Sequence, residues 1–103
     1  MTTQIKIDRV RVEEFCRKWK IVELSFFGSV LRDDFRDDSD VDVLVTWAED
    51  APWSALDHFT AEDELAEIIG RKVDLVSRRA VEEQSNWLRK SRILNSARRF
   101  YVS

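Results

Sequence analysis

Two short runs of this 103-residue chain could do chemistry together: Gly28-Ser29 and, after ten intervening residues, Asp40-Val41-Asp42. β-Branched and apolar residues dominate Val41 to Val45, so the second run reads as a strand. Side chains alternate faces along a strand. Asp40 and Asp42 therefore project the same way, about 7 Å apart along the chain. Two carboxylates on one face repel each other and cost desolvation energy unless a cation answers them. Mg²⁺, a hard ion that takes carboxylate and phosphate oxygens, fits that need. Upstream, an apolar run leads into Gly28-Ser29 and a helical turn follows, the arrangement that aims backbone N–H groups at a phosphate. A phosphate cradle beside metal-binding carboxylates points to nucleotide chemistry.

The elements that must position these residues can be read in order. Asp8 can cap a helix running to about Trp19, with Val12, Phe15, Cys16 and Trp19 on one apolar stripe. Ile21 to Phe27 is a strand that delivers Gly28 to its end. Gly28 then serves as a turn glycine, as a close-approach glycine beside phosphate, or as both. Ser29 opens a short helix, where it caps and can also offer its hydroxyl and N–H to a nucleotide. Arg32 lies one turn on, placed to reach a triphosphate or to answer nearby acids, while Asp33, Asp34, Asp37 and Asp38 read as a solvated acidic loop.

Trp47 ends the second strand. Pro52 fits the first turn of a helix over about 53–69, with Leu56, Phe59, Leu65, Ile68 and Ile69 as core candidates and Gly70 as its stop. His58, the only histidine, reads as a surface residue and not a ligand. Arg71 to Ser77 is a short strand carrying Asp74 between apolar neighbours, and a carboxylate there must face water or find a cation. Residues 80–101 read as helical, broken near Ser85-Asn86, with an apolar stripe of Ile93, Leu94, Ala97, Phe100 and Tyr101. The last residues could instead form a short edge strand. The expected fold is α/β (α+β): a small mixed sheet with acids on one face and helices covering the other.

Composition narrows the function classes. One domain over residues 1–103 is the natural reading at this length. Nothing approaches a transmembrane span or a signal peptide, and a single cysteine, Cys16, suits a reducing cytoplasm. Cys16 sits within the apolar stripe, so it reads as core. Charge is unevenly spread: residues 1–77 carry ten Lys/Arg against eighteen Asp/Glu, whereas residues 78–103 carry seven against two. An acidic body argues against direct nucleic-acid binding, which rests on clustered cations. The basic tail could meet an acidic partner or nucleotide phosphates, or be a solvated helix. One small domain with acids on an open sheet excludes water poorly, so a macromolecular acceptor is expected to complete the site.

The stretch from Phe27 to Val45, with Gly28-Ser29 and Asp40-x-Asp42 at this spacing, resembles the DNA polymerase beta-like nucleotidyltransferases. It looks most like their minimal nucleotidyltransferase (MNT) branch. The resemblance implies a palm-like fold, ATP as substrate and Mg²⁺ held by Asp40, Asp42 and a third acid matched by Asp74. It implies phosphate binding through Gly28 and Ser29, with Arg32 the nearest added candidate. It further implies transfer of AMP to a protein hydroxyl, with a HEPN-type ribonuclease toxin as partner, its tyrosine as acceptor and a hetero-oligomer as the assembly. Two rival readings stand beside it: an antitoxin that silences the toxin by covering it, and a small-molecule nucleotidyltransferase. The latter generally has a further substrate domain. Many relatives also place a glycine where this chain has Asp33, an added acid near the phosphates.

Overall fold

A computed structural model of the chain describes residues 7–28, 40–83 and 85–102. The Ser29–Ser39 stretch, with the Ser29 and Arg32 expectations and the short helix after the turn, lies outside the described residues.

Helix α1 (Arg9–Lys18) begins where Asp8, in an extended conformation, accepts a side-chain hydrogen bond from the Arg11 N–H at 3.2 Å. That bond satisfies one of the donors a helix start leaves over. Val12, Phe15 and Cys16 form its buried stripe, as the helical spacing requires. Strand β1 (Ile21–Phe27) follows, then β2 (Val41–Trp47). The two pair antiparallel, with Phe27 opposite Asp42.

β3 (Val73–Ser77) lies parallel to β2, and two parallel neighbours need a crossover between them. Helix α2 (Ala55–Ile69) supplies it. Ser54 and Asp57 form a reciprocal capping box at its start, and Gly70 closes it at φ +81°. Pro52 therefore precedes the helix by three residues instead of sitting in its first turn. Helices α3 (Arg78–Glu83) and α4 (Trp87–Ser96) come next, and β4 (Arg98–Val102) pairs antiparallel with β1. The sheet order is β3-β2-β1-β4. The edge-strand alternative for the last residues is the correct one. Ala97 turns extended (φ −63°, ψ 136°), which ends α4 and starts β4.

The mixed sheet divides its side chains by alternation. Val41, Val43, Val45, Leu24, Phe26, Val73 and Leu75 join Val12, Phe15, Cys16, Ala61 and Leu65 in the main core beneath α1 and α2. On the opposite face, expected to carry only the acids, Phe27 and Leu44 meet Val81 of α3 and Ile93 of α4 in a smaller cluster. The acids thus share their face with a second, partial helical cover.

Two core expectations on α2 do not hold: Leu56 and Phe59 are 74% and 60% exposed. The buried residues of α2 are Ala61 and Leu65, with Ile68 and Ile69 packed against the core. Leu56 and Phe59 lie on the opposite side of the helix from that set. Among the described residues, no helix is long and apolar enough to cross a membrane.

Candidate active site

Asp42 and Asp74 stand side by side. They are register partners on the parallel strands β2 and β3, so both side chains leave the same face of the sheet, with backbones about 4.8 Å apart. Phe27 is the register partner of Asp42 on the other side. The face therefore runs Phe27, Asp42, Asp74 across three strands. Leu44, two residues along β2, lies on that same face and is buried in the smaller cluster, which fixes the direction in which the carboxylates point. Asp40 immediately precedes β2 and is exposed, two residues before Asp42. The Val41 N–H bonds the Lys72 carbonyl at 2.9 Å, tying the start of β2 to the residue before β3.

Gly28 follows β1 with φ +75°, in the left-handed region that side chains avoid. The Asp42 side chain occupies the space a Cβ would take: a Cβ built on Gly28 would lie 3.1 Å from Asp42 Cγ, with carboxylate oxygen Oδ2 closer still. The turn role foreseen for this glycine holds, and the close approach the structure shows is to the Asp42 carboxylate.

Among the described residues, no three His, Cys, Asp or Glu side chains gather into a metal-holding group. The donor set is a carboxylate pair with Asp40 beside it. That is the pattern Mg²⁺ accepts, because it binds through one or two carboxylates and takes its remaining oxygens from phosphate and water. The all-oxygen donors fit Mg²⁺ and not a softer metal.

Cys16 is fully buried, as its place in the stripe implies. Burial first, and then Glu13, push its thiol up to about 12, with Arg17 pulling the other way. A thiol so held is no nucleophile.

His58 departs from the surface reading. It is half-buried, with Nε2 2.9 Å from the Leu75 carbonyl, while Glu62 one turn on accepts the Leu75 N–H at 2.7 Å. β3 is an edge strand, and these side chains cover both outward backbone groups of the residue next to Asp74. The i, i+4 pairing was visible in the sequence, but its target depends on tertiary packing.

A cleft of about 1070 Å³ lies elsewhere, toward the far ends of β2 and β3, lined by Trp47, His58, Ser77 and Arg78 among others. None of Gly28, Asp40, Asp42 and Asp74 lines it. The carboxylates make the better candidate site, because they set two acids in register on one sheet face beside Gly28, an arrangement the cleft lacks.

Comparison with known proteins bears on this geometry. The nucleotidyltransferase domain family matches residues 9–100. A candidate protein adenylyltransferase of Methanocaldococcus jannaschii is 37% identical over 65 residues, 63% of this chain and 64% of that relative. Protein adenylyltransferase MntA of Thermococcus cleftensis is 34% identical over 70 residues, 68% of this chain and 69% of that one. The chain thus spans a little under two thirds of the first relative's length.

Among solved structures, a candidate minimal nucleotidyltransferase superposes with TM-score 0.67 at 33% identity, covering 87% of this chain and 86% of that one. A toxin–antitoxin structure with AMP-PNP gives 0.72 at 19%, covering 94% and 75%. A structure of tri-AMPylated Shewanella oneidensis HEPN toxin with MNT antitoxin gives 0.64 at 20%, covering 92% and 70%. These last two share the fold. The match over residues 9–100, on a palm-like sheet that pairs Asp42 with Asp74, makes this chain a member of the nucleotidyltransferase domain family.

Proposed function

We propose that this chain transfers AMP from ATP to a hydroxyl of a partner protein in a Mg²⁺-dependent reaction. The proposed acceptor is a tyrosine of a HEPN-type ribonuclease toxin in the cytoplasm, and the modification silences the toxin. The observation that carries the reading is the pairing of Asp42 with Asp74 beside Gly28. It is supported by the names of similar proteins: an adenylyltransferase, an AMP-PNP complex and an AMPylated HEPN toxin held by its antitoxin.

Asp40, Asp42 and Asp74 are the proposed metal-holding carboxylates, and Gly28, Ser29 and Arg32 the proposed triphosphate contacts. A bound Mg²⁺ supplies positive charge where carboxylates and phosphates meet. The acceptor oxygen bonds to the α-phosphorus, and the bond from that phosphorus to the α,β-bridging oxygen breaks. Pyrophosphate leaves with the electron pair, and the hydroxyl proton passes to the Asp74 carboxylate. Asp74 is suited to this by exposure, and its neighbour Leu75 is held at both backbone groups.

Turnover separates this reading from an antitoxin that acts by covering its target. Trace amounts of the chain, with ATP and Mg²⁺, should silence a molar excess of a HEPN-type protein encoded by a neighbouring reading frame. Silencing that needs equimolar protein and ignores ATP would replace catalysis with simple binding.

A further inference from the structure

We infer that the outer surface of α4, opened by Trp87 and Leu88, is the docking surface for the acceptor protein, and that it takes a carboxylate-rich patch of that protein. This rests on the proposed transfer to a protein hydroxyl, because it says which part of the chain holds the acceptor while the carboxylates act.

The position of α4 is the first ground. Its inward residue Ile93 packs with Phe27 and Leu44, and Phe27 is the register partner of Asp42. The helix therefore rests on the same sheet face as the candidate site and borders it. A protein presenting a hydroxyl to Asp42 and Asp74 approaches over that face, and α4 is the structure it meets beside them.

Exposure is the second ground. Trp87 and Leu88 are 70% and 58% exposed, so Trp87 does not pack into this chain's own core. The helix had an apolar cluster to use and buried Ile93 there. A tryptophan and a leucine left in water at adjacent positions are the residue types that interfaces cover.

Charge is the third. Most of the basic C-terminal segment is committed within the fold. Arg78 and Arg99 both pair with Glu23, at 3.4 and 2.9 Å, Arg79 pairs with Glu83, and Lys90 donates to the Glu82 carbonyl. Arg89 and Arg92 are exposed and, among the described residues, have no ionic partner. α4 contains no acid to answer them. Leu88 and Arg92 stand one turn apart on the same side of α4, and an apolar contact beside an unanswered guanidinium fits a protein surface that sets carboxylates around an apolar seat. RNA would also answer the arginines. It is disfavoured because the rest of the chain is strongly acidic, and because base stacking leaves Leu88 without a use.

The test measures association and labelling in parallel, with a HEPN-type protein encoded by a neighbouring reading frame as the probe. The variants are Arg89→Glu with Arg92→Glu, Trp87→Ala and Asp42→Asn. The arginine reversal should slow association about tenfold at low salt and much less at high salt, with an unchanged melting temperature. Trp87→Ala should mainly hasten dissociation. Asp42→Asn should bind like wild type while transferring no label. If wild type binds and labels the probe but the arginine reversal associates at the wild-type rate, the docking surface is wrong and the transfer reading stands. If wild type neither binds nor labels, the transfer reading fails and takes this inference with it. Tighter binding to a generic tRNA than to the probe, lost on arginine reversal, would overturn the protein patch in favour of nucleic acid.

Discussion

The side chain of Asp42 fills the space where Gly28 would carry a Cβ, with Asp42 Cγ 3.1 Å from that position. Gly28 also holds φ +75°. Any other residue there meets two penalties at once, backbone strain of about 1–2 kcal/mol and displacement of the carboxylate. Gly70 is a natural control, since it holds φ +81° with open space around it. Gly28→Ala should therefore lower the melting temperature about twice as far as Gly70→Ala, and it alone should abolish AMP transfer. At this chain length each 1 kcal/mol moves the melting temperature by about 4–8 °C, so thermal scans resolve the difference. Equal losses from the two variants would mean that Asp42 yields without cost.

We predict that Asp42→Asn and Asp74→Asn each cut AMP transfer by a factor of about 100 or more while leaving the fold intact. Each replaces a charged oxygen donor with an amide on a face where two carboxylates already crowd each other. Stability should hold or rise slightly for either variant. Asp40→Asn should also lose transfer, although Asp40 stands just outside β2. Labelling of the acceptor with radiolabelled ATP and Mg²⁺, alongside denaturant unfolding, checks both halves. Wild-type labelling by Asp74→Asn would remove it from the site and leave the other two.

How much of this was legible in the sequence varies with how local the deciding physics is. β1 and the Asp40-x-Asp42 strand were readable because runs of apolar and β-branched residues are local properties. The caps at Asp8 and Gly70 were readable for the same reason. The exposed Leu56 and Phe59 were misread by hydrophobicity alone. Their phase was available, since Ala61, Leu65, Ile68 and Ile69 define one face of α2 and the other two fall opposite it. β4 could not be decided locally, because its apolar residues fit a helix stripe until pairing with β1 claims the backbone. The adjacency of Asp42 and Asp74 needs the register of two strands separated by all of α2. Motif spacing singled out Asp42, and a lone mid-strand acid together with the family resemblance singled out Asp74, but neither could give their alignment.

Glu62 should matter more for stability than its surface-like position in the sequence suggests. It accepts the outward N–H of Leu75, and the site is partly buried. We predict that Glu62→Ala destabilises the chain by about 1–3 kcal/mol, the cost of leaving a partly buried donor without an acceptor. Glu62→Gln, which keeps an acceptor oxygen, should cost less. Hydrogen exchange at the Leu75 amide gives the direct readout: protection well above that of an open edge strand in the wild type, lost in Glu62→Ala. Because Leu75 adjoins Asp74, transfer should fall with it. An amide that exchanges equally fast in both proteins would show that the carboxylate does not cap this edge.

Cys16 predicts an alkaline signature. Burial, with Glu13 adding and Arg17 opposing, raises its thiol from 9.0 to about 12. In the unfolded chain the thiol loses its proton near pH 9, whereas the folded chain keeps it until about pH 12. Between those limits the unfolded state binds fewer protons, so stability falls as pH rises, and below pH 9 the contribution is fully present. The comparison must be with Cys16→Ala, where only this thiol is missing. We predict that wild type exceeds Cys16→Ala in stability by about 1 kcal/mol at pH 7.5, reflecting the small cavity the variant leaves. That margin should nearly vanish at pH 9.5 and reverse sign by pH 10.5, where the linkage loss reaches about 2 kcal/mol. Denaturant unfolding at the three pH values measures it, and iodoacetamide should label the wild-type thiol only as fast as the chain opens. A margin that stays constant with pH would show that the fold does not suppress the thiolate.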